Sequence, residues 1–231
     1  MRLLRLLNNR NTIVMLVALM AASISPLAFT LSATGMYTFH WLGIYAILPA
    51  VIIWFSILAY SAIAPNKQLM NIMMLSIMAG IIGTIAMEIV RSIGFSYFNA
   101  MPGDLPMLMG VKLTNQFMVG PNWWSNLIGW SDHFWNGIGF TFIYLVLFGK
   151  GKWWLATLYS ITVATTFMLS PVMNILGVGY FGQEFAPIAF PLTVYLAHIA
   201  WGTTFGIIAQ KSTKHIESLY EKERQLWIEM N

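Results

Sequence analysis

Glu88, His133 and His198 are the residues of this chain best placed to do chemistry. Each stands inside an apolar run, where a carboxylate or an imidazole finds no water and must pair within the protein, bind a metal or carry a proton. The segment WSDHFWNGIGFTF at 130–142 sets Asp132 beside His133, and YLAHIAWGTTFGI at 195–207 repeats a histidine followed four residues later by glycine. Two histidines and a carboxylate on facing helices form a donor set for iron, copper or zinc. The glycines leave room for a bulky group, so the two histidines could also be the axial ligands of a haem b with Arg91 near a propionate. The same groups suit two other readings, a relay for protons or small solutes and a hydrogen-bond network that only fixes helix packing. Arg91 follows Glu88 by three residues, the spacing of an ion pair along one helix. Asp132 lies about 100 degrees around the helix from His133, so its expected partners are Asn136, a neighbouring helix or Arg91, and it is expected to orient a member of the cluster from behind.

The elements that must position these groups are membrane helices. Of 231 residues 58% are hydrophobic and 9% charged, too little polar surface for a domain of this size in water; mean hydropathy is +0.69. Spanning a bilayer takes about 20 apolar residues, and stretches at 12–33, 38–64, 69–96, 125–149, 152–178 and 186–210 reach that length. Arg2, Arg5, Arg10, Lys67, Lys150, Lys152, Lys211 and Lys214 fall on one side under this scheme and Lys112 on the other. The excess of lysine and arginine then puts both termini in the cytoplasm. The apolar run after the first arginines is long for a signal peptide, so an uncleaved first helix is expected. The chain has no cysteine, which removes thiolate chemistry and disulfides. The net charge of +4 resides at segment ends and in the tails, so a nucleic-acid partner is not indicated; the partners implied are the lipid bilayer and a second copy or a larger membrane complex.

Steps of four residues show one small or polar stripe on each of the last four stretches. They read Ser76, Gly80, Thr84, Glu88 and Ser92; Ser125, Gly129, His133, Gly137 and Thr141; Thr162, Thr166, Ser170 and Asn174; and His198, Gly202, Gly206 and Gln210. In lipid such stripes face other helices. The fold expected is therefore all-α, with six transmembrane helices, the last four a four-helix bundle with stripes inward. At about 1.5 Å rise per residue, Glu88, His133 and His198 share one layer of it. Residues 1–68 would form two accessory helices, 69–210 the four-helix module, and 211–231 a cytoplasmic amphipathic helix. Segment 97–124 is broken by Pro102, Gly103, Pro106, Gly110, Gly120 and Pro121 and reads as an external lid with Asp104 at the mouth of the bundle. Pro171, Pro187 and Pro191 mark places where the backbone can break around a site. Most of the sixteen methionines read as apolar filler.

From about Gly80 to Gln210 the chain resembles a group of small bacterial inner-membrane proteins with four spans, which share a proline- and aspartate-bearing loop, a histidine opening a glycine-rich helix, and a histidine in the last helix. Here those positions read MPGDLPMLMG, DHFWNGIGF and AHIAWG. The resemblance implies a four-helix module and no particular activity.

Single cysteines replacing Thr34, Asn115 and Gln183 should react with an impermeant maleimide from outside the cell, and one replacing Lys67 should not. The opposite pattern would invert the orientation.

Overall fold

The computed structural model describes residues 10–63 and 67–221, and every regular element among them is helical. In chain order these are α1 (Arg10–Ala33), α2 (Phe39–Ile63), α3 (Lys67–Phe98), α4 (Leu105–Leu113), α5 (Trp123–Phe148), α6 (Trp153–Met168), the single turn α7 (Val172–Ile175) and α8 (Ala189–Lys211). Four of them, α1, α2, α3 and α8, are long and apolar enough to cross a membrane.

The fourth and fifth stretches differ from the six-span expectation for separate reasons. At 26 residues α5 has the length, but Ser125, Asn126, Ser131, Asp132, His133 and Asn136 dilute its hydropathy. The fifth stretch, expected as one span over 152–178, stops at Met168 after 16 residues, a rise of about 24 Å against a hydrocarbon core of about 30 Å. Pro171 lacks an N–H and disfavours helical geometry at Ser170, so the chain turns there and resumes only as α7.

Helix α8 lies between α3 and α6, while α5 packs on α3, α4 and α1, and α1 on α2. The close packings thus form a row, α6, α8, α3, α5, α1, α2, where the stripes had suggested an inward-facing ring. Side chains join α5 to α6 across it: Tyr159 Oη donates to Phe140 O at 3.1 Å, and the Tyr144 and Tyr159 rings stand 5.4 Å apart.

Small residues set each contact, as they must where lipid and side chain are equally apolar. A Cβ on Gly80 would lie 2.7 Å from Ile138 Cα, and one on Gly83 2.7 Å from Trp201 Cδ1, so α3 meets α5 and α8 through bare backbone. The stripe of α8 turns to α6, where a Cβ on Gly206 would lie 2.7 Å from that of Ala156. On α6 the expected stripe is on the wrong face: Thr162 and Thr166 are exposed, and Ala156, Ser160, Ala164 and Met168 are buried instead. The threonine hydroxyls donate to the carbonyls of Leu158 and Thr162 one turn back, which satisfies them without a neighbouring helix.

One end of the molecule collects the basic residues. Lys150 Nζ donates to Ser212 O at 3.0 Å, Trp153 N to Gln210 Oε1 at 2.8 Å and Gln68 Nε2 to Glu217 O at 2.8 Å. These bonds bring the start of α3, the α5–α6 turn and the end of α8 together. The tail, expected to be helical from 211, instead crosses this end as a non-helical strap over 212–218, with Ile216 and Ser218 buried. Arg2, Arg5 and residues 222–231 of the expected tail helix lie outside the described residues.

At the opposite end α4 is seated on α5. A Cβ on Gly110 would overlap Ser125 O, and one on Gly129 would overlap Pro106 O. The start of α2 holds the other end of α4: His40 Nδ1 donates to Leu113 O at 2.5 Å, beside a π-helical turn at Gly43–Ile47.

Gly129→Val should unseat α4 by overpacking, at a cost of about 1 to 3 kcal/mol, read as a lower thermal unfolding midpoint in detergent. An unchanged midpoint would show that the lid does not depend on this contact.

Candidate functional site

The antiparallel register of three helices builds the site. Helix α3 meets α8 with Gly94 on Thr193 and Gly83 on Trp201, which sets His198 level with Glu88. It meets α5 with Gly80 on Ile138 and Thr84 on Gly137, which brings His133 to Glu88. The shared layer expected from helical rise is therefore a consequence of where the glycines allow the backbones to touch.

Glu88 is 8% exposed, and its carboxylate is the hub. Arg91, one turn on, donates from Nε to Oε1 at 2.9 Å and to Oε2 at 2.8 Å, and from Nη2 to Oε2 at 2.5 Å. His133 Nε2 reaches Oε1 at 2.9 Å. Because a carboxylate only accepts, Nε2 carries a hydrogen, and Nδ1 is the ring position left to take up or give up a proton. The Trp130 and Phe134 rings flank the imidazole edge-on at 5.9 and 6.4 Å. Arg91 Nη2 also donates to Asp104 Oδ1 at 3.3 Å, so the residue that opens the lid helix closes over the buried pair. The Asp104 side chain is 36% exposed and that of Arg91 12%, which makes a graded line of ionisable groups from surface to interior.

His198 stands apart from this chain of bonds. Its Nδ1 donates to Val194 O at 2.8 Å, one turn back in α8, so its Nε2 is an acceptor with no hydrogen bond among the described residues. It lies within electrostatic reach of His133 and edge-on to Trp201 at 6.4 Å. Among the described residues no three His, Asp or Glu side chains are grouped to hold a metal ion.

Asp132, expected behind the imidazole, turns instead to α1. It accepts from Ser25 Oγ at 2.6 Å and from Asn136 Nδ2 at 3.2 Å, and it is 6% exposed. The physical reason is the 100-degree step around the helix, which aims neighbouring residues at different helices. Pro26 shapes the receiving surface: its missing N–H leaves Ala22 O without its helical donor, and a Cβ on Gly139 would sit 2.8 Å from that oxygen. Serine before a proline inside α1 was the only sequence sign of this partner. The pairing of Asp104 with Arg91 had no local sign, since the two come from different elements 13 residues apart.

No family model, curated protein or solved structure matches this chain.

Arg91→Ala would strand a buried carboxylate and should cost about 3 to 5 kcal/mol, whereas Asp104→Asn should cost about 1 kcal/mol or less because its group is part-exposed. Equal losses in unfolding midpoint would remove Arg91 from the centre of the network.

Proposed function

We propose that this chain is a six-span protein of the bacterial inner membrane with both termini cytoplasmic, and that Glu88 and His133 belong to a proton path across it that is entered from outside past Asp104 and Arg91. The observation that carries the reading is the sharing of one buried carboxylate between a fixed cation and an imidazole. Arg91 offsets Glu88, and Asp104 adds a second negative charge at the mouth. Glu88, Arg91 and Asp104 together carry one net negative charge, which a second proton on His133 would offset. The collection of basic residues at the end away from the lid supports the orientation. Large apolar side chains facing outward, such as Met20, Leu27, Ile52 and Ile89 at 62, 63, 58 and 58% exposure, suit lipid or a second membrane subunit.

One observation favours a second reading. His133 Nδ1 and His198 Nε2 have no hydrogen bond among the described residues, and their side chains stand at one level. A transition metal or haem b held between them would use those nitrogens, and Glu88 would join only by exchanging Arg91 for the cation.

The test is proton uptake into liposomes holding the purified chain, driven by a potassium diffusion potential and read with an internal pH dye. Wild type and Asp132→Asn should acidify the interior, and Glu88→Gln and His133→Ala should fall to the level of empty liposomes. Wild type at that level overturns the proton reading. Metal analysis and an absorption spectrum of the same preparation then decide the second reading, with stoichiometric metal or a Soret band, lost in His198→Ala, as its signature.

A further inference from the structure

An open groove of about 440 Å³ runs between α1 and α2, lined by Ile13, Val17, Ile52, Ile53 and Tyr60, with Arg10 at its end. The isoleucines are apolar groups without protein cover, Ile13 46%, Ile52 58% and Ile53 45% exposed. Arg10 has a different position. Its guanidinium carbon stands over the Tyr60 ring, 5.7 Å from the centre. Among the described residues no carboxylate pairs with it.

The depth of this cation follows from packing. Helix α1 runs antiparallel to α5, with Ser25 on Asp132 and Ala22 against Gly139, so Arg10 lies at the end that gathers Lys67, Lys150 and Lys211. A tyrosine beside it is the side chain expected at headgroup level. From Arg10 to Val17 the helix rises about 10 Å, which carries the groove from the headgroups into the hydrocarbon. A guanidinium with open donors above an apolar slot fits a phosphate ester that trails an acyl chain, and Arg grips such a phosphate with paired N–H groups.

We propose that this groove holds one anionic phospholipid of the leaflet at the basic end, its phosphate on Arg10 and an acyl chain along Ile13, Val17, Ile52 and Ile53. The site rests on the membrane placement of the chain and not on the chemistry of Glu88.

The experiment is native mass spectrometry of the purified full chain in mild detergent, with dioleoylphosphatidylglycerol and dioleoylphosphatidylcholine offered in competition. Wild type should keep one phosphatidylglycerol per chain with about a fivefold preference, the scale of one arginine near an anionic headgroup. Arg10→Gln should lose the preference yet keep its unfolding midpoint in lipid-free detergent, Arg10→Lys should retain the preference, and Ser56→Trp, at a residue that also lines the groove, should fill the slot and weaken both lipids. Equal retention of the two lipids by wild type, or an unchanged preference in Arg10→Gln, overturns the proposal. So does displacement of the lipid by inorganic phosphate, or a dimer that takes its place and that Ser56→Trp dissolves.

Discussion

A buried carboxylate has to be offset, and Glu88, 8% exposed, is offset by Arg91 from the next turn of its own helix. Much of the lid end depends on that bond. Because the partner is local, α3 can carry the pair as one unit, and the only long-range demand is that other helices leave space for it and use its remaining valences. His133 takes one carboxylate oxygen and Asp104 takes a spare N–H of the guanidinium. Three elements, α3, α5 and the start of α4, are thereby tied at one level by groups whose alternative is an unpaired charge in hydrocarbon.

Small residues make that arrangement reachable. Apolar burial gives helices in lipid little reason to associate, so contact comes from close approach and shape. Gly80, Gly83 and Gly137 let α3 touch α5 and α8, and Gly110 and Gly129 do the same for α4 on α5. The ion pair supplies no register by itself, since long side chains adapt; the glycines place the helices, and the polar groups then find one another. His198 shows the limit of this. It shares the layer, yet it donates to a carbonyl of its own helix, and its second nitrogen has no hydrogen bond among the described residues.

The two ends of the molecule have different chemistry. At one, lysines cluster where the tail straps the α5–α6 turn to the end of α8. At the other, Asp104 at the start of the short helix α4 meets Arg91, and the turn that follows the helix exposes Phe117, Met118 and Val119, at 72, 94 and 79%. The asymmetry gives the proposed proton site an approach from one side and places the Arg10 groove on the other.

The sequence by itself determined a helical chain with helices long and apolar enough to cross a membrane, the starts and stops of α1, α2, α3, α5 and α8 to within a few residues, and the Glu88–Arg91 pair. Each of these follows from local information: apolar runs of spanning length, prolines that end helices, and residues three apart on one face. Which neighbour each stripe meets was decided only in the tertiary structure. Thr162 and Thr166 looked inward by spacing but satisfy themselves on their own backbone, while Ala156 and Ser160 carry the contact. Asp132 looked like support for His133, but it faces α1, because one residue along a helix is a turn of about 100 degrees. Polarity along a helix says that a side chain needs a partner. It does not say which helix supplies it, because that depends on backbone approach distances fixed by small residues on two helices at once.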